Sequence, residues 1–325
     1  MKDQLDPGPA EAGPARPDGK FSDPERTLDG SPRAAVALER LETLWFNTGT
    51  LCNITCEGCY IESSPTNDRL AYLTLADLRA VLDEAERAGM APEEIGFTGG
   101  EPFMNPAFCD LLAEALARAP RVLVLTNAMR PMQRPRVLDR LAPLIAEAGA
   151  RLTFRVSLDH YRAERNDAIR GAGSFAAALE GLRWLAGRGA QLAVAARALW
   201  ADEDEAAMRA GFAALFAAEG LAIDAADPAR LVIFPEMDES ADVPEITTAC
   251  WGILGRSPSE VMCARSRMVV RRRGADGPSV VACTLLPYDA RFDLGPSIAA
   301  ARGPVPLNHP HCARFCVLGG ASCSA

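Results

Sequence analysis

The chain has 325 residues, enough for about two domains and for a large core without covalent staples. Apolar residues make up 49% and charged residues 24%, the balance of an ordinary globular protein, and no apolar run reaches the roughly 20 residues of a membrane helix. Acids outnumber bases 43 to 34, for a net charge of −9, which argues against a protein built to hold a nucleic-acid backbone.

Residues 1–40, rich in Pro, Gly, Ala, Asp and Arg, show neither helical nor strand period and read as a disordered tail. The start, MKDQLDPGPAEAG, has no apolar stretch after its first charges, so no secretory signal is read and a cytoplasmic location is expected. Leu41–Asn47 is a short apolar run suited to a strand. Leu75–Ala88 carries apolar residues at 75, 78, 81, 82 and 85, a helical stripe with Thr74 as N-cap. Strands are expected at 94–97, 121–126, 151–158, 191–199 and 229–234, and helices at 106–119, 134–148, 175–186 and 204–218. Such alternation with short connections means βαβ units on a parallel sheet. About six units are too many for a small doubly wound domain and too few for eight, so an α/β fold is expected: a partial (β/α)6 TIM-like barrel over residues 41–240. Its catalytic groups belong at the C-terminal ends of the strands. After residue 240 Pro, Gly and Cys rise, and a small Cys-rich domain is expected over 245–325.

With no signal, ten cysteines point to metal rather than to disulfides. There are three histidines, His160, His309 and His311, so a metal site must rely mostly on thiolate. Cys52, Cys56 and Cys59 form C-x3-C-x2-C directly after the first strand, close enough to converge on one centre. A [4Fe–4S] cluster on three cysteines leaves one iron for a small molecule. A zinc loop is the alternative, although zinc usually takes four protein ligands. This loop, followed by Tyr60, resembles that of the radical S-adenosylmethionine (SAM) superfamily. The resemblance extends to Gly99-Gly100-Glu101-Pro102 after the second strand, to Asn127 at the end of RVLVLT, to Ser157 and Asp159 at the end of RVSLD, and to Arg170-Gly171. It implies a [4Fe–4S] cluster on the three cysteines. It also implies a SAM site at Tyr60, Gly99, Gly100, Glu101, Pro102, Asn127, Ser157, Asp159 and Arg197, with Glu101 on the SAM ammonium and Arg197 on its carboxylate. The implied chemistry is reductive cleavage of SAM to a 5′-deoxyadenosyl radical that abstracts hydrogen from a substrate.

Cys263 and Cys283 bracket two apolar runs around a GADG turn, a β-hairpin that brings two thiols together. Cys312 and Cys316, four apart, share a face if helical. The set resembles the twitch or SPASM extensions of radical SAM enzymes, which implies an auxiliary [4Fe–4S] cluster. Cys323 is a possible replacement ligand, Cys250 is free to face a substrate, and zinc with His309 or His311 is the competing reading. Cys109 reads as a buried hydrophobe. The hairpin arginines Arg265, Arg267, Arg271, Arg272 and Arg273 read as a solvated edge.

The expected reaction is a two-electron oxidation with the auxiliary cluster as electron acceptor, an oxidoreductase on an unknown small molecule. The electron donor would be a flavodoxin or ferredoxin. A peptide- or protein-modifying maturase is the alternative, and a leader-recognition module would then be borrowed from another chain. A non-catalytic iron–sulfur carrier is the alternative of another class. Neither nucleic acid nor a membrane is expected as a partner.

Overall fold

The structure, a computed structural model, describes residues 19–236 and 238–319. Along the chain run β1 (Ala35–Val36), β2 (Thr43–Asn47), α1 (Leu75–Arg87), β3 (Glu94–Thr98), α2 (Phe108–Arg118), β4 (Arg121–Thr126), α3 (Arg130–Gln133), α4 (Pro135–Ala148), β5 (Leu152–Ser157), α5 (Ala163–Arg170), α6 (Ser174–Gly187), β6 (Gln191–Ala198), α7 (Glu205–Glu219) and β7 (Leu231–Pro235). Then come α8 (Cys250–Leu254), β8 (Ser266–Val270), β9 (Ser279–Val281), β10 (Val305–Pro306) and a π-helical turn, Cys312–Leu318. The main sheet has the order β7-β6-β5-β4-β3-β2-β8-β9. Strands β2 to β7 are parallel neighbours, the succession expected of a partial TIM-like barrel.

Local chemistry accounts for the elements. Thr74 accepts the amide of Asp77 while Asp77 accepts the amide of Thr74, a reciprocal cap that starts α1. The helix expected over 134–148 is α4, and a short additional helix, α3, precedes it. Pro135 holds Arg134 in an extended conformation (ψ 132°), so α3 ends and α4 begins there. The polar α5 carries no apolar stripe, which is why periodicity misses it.

One sheet face packs on the helices, through residues such as Phe46, Phe97, Val124, Phe154 and Val194 against Leu82, Leu112, Leu141, Leu182 and Phe212. On the other face Trp45 lies over Gly96, where a Cβ would meet the indole at 2.4 Å. Around Trp45 and Leu123 gather Met262, Leu285, Leu286 and Phe315 from the C-terminal region. That region is not detached from the sheet: β8 runs parallel beside β2, and β9 closes the hairpin on β8. The fully buried run Ser266–Val270 marks a strand inside a sheet rather than an edge.

The disordered-tail expectation fails over residues 19–40; residues 1–18 lie outside the described residues. Phe21 is buried, Arg33 is buried on Glu245, and β1 pairs with β10. The partners sit more than 200 residues away, where no local period can report them.

Candidate functional site

A cavity of about 170 Å³ opens at the C-terminal ends of the parallel strands. Cys52, Cys56, Cys59 and Tyr60 line it from the loop after β2, Gly99 and Gly100 from the end of β3, and Asn127 from the end of β4. Ser157 and Asp159 contribute from the end of β5, and Arg197 from β6. Of the expected SAM residues, Glu101 and Pro102 are not among the cavity's lining.

Glu101 is buried behind that wall. One carboxylate oxygen accepts the Thr126 hydroxyl at 2.7 Å and the Phe103 amide at 3.2 Å; the other accepts the Asn127 amide at 2.8 Å. Burial raises its pKa to about 7 in spite of these donors. Thr126 and Asn127 thereby receive a fixed place. Asn127 donates from Nδ2 to Asn53 at 2.9 Å and to the Cys52 thiol at 3.9 Å, and accepts the Met129 amide. Ala128 is held at φ 55°, a strained turn directly beside the cavity.

Gly99 and Gly100 are required by the chain itself. A Cβ on Gly99 (φ 146°) would lie 2.6 Å from the Gly49 carbonyl, and one on Gly100 would lie 2.3 Å from the Leu51 carbonyl. The two glycines let the end of β3 rest on the backbone that leads into Cys52.

Asp159 is clamped by two arginines, Arg170 at 2.9 Å and Arg197 at 2.9 Å. Burial opposes the Asp159 charge, but the guanidiniums outweigh it and keep the pKa below the usual carboxylate value. Arg197 also donates to the carbonyls of Glu57 and Gly58, within the cysteine loop. Arg197 thus ties Asp159 to the cysteine loop at the cavity wall. Arg155, on the same face of β5 as Ser157, brings a further guanidinium to the wall. The alternation of RLTFRVSL carries that signal, two residues before Ser157.

Burial pushes the Cys52 thiol up to about 12 and raises that of Cys56, against which Arg170 pulls down. Such thiols stay protonated at neutral pH unless a bound cation compensates, and coordination to a metal deprotonates a thiol outright. The donor set fits an iron–sulfur group, which takes thiolate ligands and is tuned by burial and by N–H groups near its sulfurs, here that of Asn127 toward Cys52.

A second, smaller cavity is lined by Cys263, Cys283, Cys312 and Cys316, together with His311 and an apolar surround that includes Leu286, Phe292 and Leu307. The four cysteines expected to share a site therefore do converge. Leu285 lines both cavities. Burial pushes Cys263 up to about 11 and Cys312 up to about 12. Cys323 lies outside the described residues. Cys250 does not line either cavity; its sulfur accepts the Thr247 amide at 3.3 Å at the start of α8. His309 does not line the second cavity either; its ring lies tilted against that of His311, whose Nε2 meets Glu239 at 3.2 Å. Cys109 is buried on α2 as expected. Among the described residues no three Cys, His, Asp or Glu side chains are set to hold a single metal ion. The hairpin arginines are paired, Arg265 with Glu42, Arg271 with Asp77, Arg272 with Asp293 and Arg273 with Asp68, with the exception of Arg267.

Residues 46–194 match the model of the radical SAM superfamily. Over 138 residues the chain is 38% identical to the mycofactocin maturase MftC of Mycobacterium ulcerans (strain Agy99), covering 42% of this chain and 34% of that protein. Over 145 residues it is 30% identical to the antilisterial bacteriocin subtilosin biosynthesis protein AlbA of Bacillus subtilis (strain 168), covering 44% and 30%. The matched stretch spans about a third of these curated relatives. The fold is similar to that of Streptococcus suis SuiB, solved with S-adenosylmethionine and with its precursor peptide SuiA. For the peptide complex the TM-score is 0.58 at 11% identity, covering 80% of this chain and 63% of that one. Among the described residues no helix is long and apolar enough to cross a membrane.

Proposed function

We propose that the chain is a peptide-modifying radical SAM maturase, a reading supported by the match of residues 46–194 to the radical SAM superfamily, whose members work with a [4Fe–4S] cluster and SAM. In this reading Cys52, Cys56 and Cys59 hold the SAM-binding cluster. Cys263, Cys283, Cys312 and Cys316 hold an auxiliary cluster in a twitch- or SPASM-like extension. The observation that carries the reading is the convergence of the two thiol sets on neighbouring cavities with Leu285 as common wall. When bound, the reduced cluster and SAM supply a 5′-deoxyadenosyl radical, which takes a hydrogen atom from the substrate.

The chain's own residues do the positioning. Cys52, Cys56 and Cys59 would hold the cluster through three thiolates, with SAM bound beside them in the same cavity. Gly99, Gly100 and Asn127 form the wall beside it, and Ser157 offers a hydroxyl from β5. Glu101 acts by fixing Asn127 and Thr126, while the Arg170–Asp159–Arg197 clamp holds the cysteine loop. Tyr60, Phe234 and Leu285 give the cavity an apolar side that keeps water from a reactive intermediate. A peptide substrate is favoured over a small molecule by the maturase MftC, the bacteriocin biosynthesis protein AlbA and the peptide-bound SuiB. An auxiliary cluster beside the reaction cavity suits net oxidation of that peptide.

The test gives anaerobically reconstituted, dithionite-reduced protein SAM alone, with a panel of synthetic peptides, or with a panel of small alcohols. Expected are 5′-deoxyadenosine and a changed peptide mass for the wild type, and neither for Cys52→Ala/Cys56→Ala/Cys59→Ala. Unchanged peptides beside oxidised small alcohols would return the assignment to a small-molecule oxidoreductase. No 5′-deoxyadenosine under any reductant would leave an iron–sulfur carrier.

A further inference from the structure

Arg267, in β8, is 1% exposed, and among the described residues it forms no ion pair. Its Nε donates to the Ala301 carbonyl at 2.9 Å, and its Nη1 to the carbonyls of Cys263 at 2.5 Å and Ser266 at 2.8 Å. Its Nη2 is buried with no partner. The contrast with two other deeply set arginines is sharp: Arg33 holds Glu245 and Arg170 holds Asp159. A guanidinium taken out of water without an anion is costly, and carbonyl dipoles offset that cost in part. Its electrostatic neighbours are thiols of the second cavity. These are Cys263 and Cys283. Arg267 also holds the carbonyl of Cys263 itself, so its charge is fixed beside that ligand.

We infer that Arg267 is the buried counter-cation of the second cysteine site. It balances the negative charge of an iron–sulfur cluster on Cys263, Cys283, Cys312 and Cys316, and so sets how readily that cluster accepts an electron. The inference rests on the auxiliary-cluster reading above. A four-thiolate cluster is anionic and becomes more so on reduction, so a fixed positive charge favours the reduced form; net charge is one of the levers on cluster potential. The apoprotein holds the cation without its anion. Neutralising Arg267 is then harmless or stabilising in the apo form, because an apolar side chain replaces an unpaired buried charge.

The experiment uses the full chain carrying Cys52→Ala/Cys56→Ala/Cys59→Ala, so that any iron belongs to the second site. Into this parent go Arg267→Met, Arg267→Gln and Arg267→Lys. Iron and sulfide content, apoprotein melting and the cluster midpoint in an EPR-monitored redox titration are read for each. The expected parent holds about four irons. The Met and Gln variants shift the midpoint to lower potential or lose iron, while melting no earlier than the parent as apoproteins; Lys stays near the parent. Neutral variants with full iron and an unmoved midpoint overturn the inference alone, as do neutral apoproteins that fail to fold, since Arg267 would then serve the carbonyl network. A parent without iron overturns the auxiliary-cluster reading, and the inference falls with it.

Discussion

Glu101 sits in the position where the sequence resemblance implies a carboxylate for an ammonium, yet both oxygens are engaged within the protein. Its pKa rises from the ordinary 4.5 to about 7, with burial the main cause. The folded state therefore binds more protons than the unfolded state between those two values, and this group's contribution to stability falls as pH rises from about 4.5 to about 7. At one pKa unit per roughly 1.4 kcal/mol, the swing is of order 3 kcal/mol. Glu101→Gln should flatten it: urea midpoints at pH 5 and pH 8 should lie closer together in the variant than in the wild type. Equal spacing in both proteins would put the pH dependence elsewhere. For ligand binding, Glu101→Ala should weaken SAM association while leaving iron at Cys52, Cys56 and Cys59, because Asn127 loses its anchor; calorimetry with iron analysis reads both. The cysteines, the glycine pair and Asn127 were legible as residues because their types and strand-end positions carry the chemistry. The internal partners of Glu101 and Arg197 were not, since a motif names a side chain and not its partner. Arg197 turns inward to Asp159 because Asp159 is buried and needs its charge answered.

At the scale of elements, the loop into Cys52 and the turn after β3 are packed backbone on backbone. Gly100→Ala should shift one of them, since 2.3 Å to the Leu51 carbonyl leaves no side chain to give way. A cost of about 1–3 kcal/mol is expected from overpacking alone. The checks are a lowered melting temperature and loss of iron at the first site; Gly187→Ala, where nothing lies near the added methyl, should do neither. The parallel strands were read from sequence to within a few residues because each is a buried apolar run bounded by turns. Helix α5 was not, because its face toward the fold is polar: Asn166 donates to Ser174 and accepts the Asp159 amide. That helix delivers Arg170 to the clamp, so the missed element and the underweighted residue are one omission.

Over the whole molecule, the segment from residue 19 to β1 acts as a strap across the second cysteine site. Phe21, Ala34 and Val36 join Cys263, Ala264, Leu307 and Val317 in one apolar cluster. Glu245 gathers the amides of Phe21 and Leu28 and the guanidinium of Arg33. Breaking that buried pair should cost about 3–5 kcal/mol. Arg33→Ala should therefore expose the strap to trypsin at Lys20 and Arg26 before the sheet unfolds, and cleavage no faster than in the wild type would show the strap held by its apolar contacts alone. Composition hid this strap, because Pro, Gly and Asp are as frequent in ordered irregular chain as in disordered chain, and its partners are distant: Leu28 and Glu245 are 217 residues apart, Arg33 and Leu307 are 274. The same separation has a consequence for birth order. During synthesis the strap emerges on the order of tens of seconds before the strand it pairs with exists. Val36 stays unpaired until Val305 has been made, so the earliest-made of these pieces is among the last to complete its pairing, and the closing of β1 on β10 requires the chain to have been made that far.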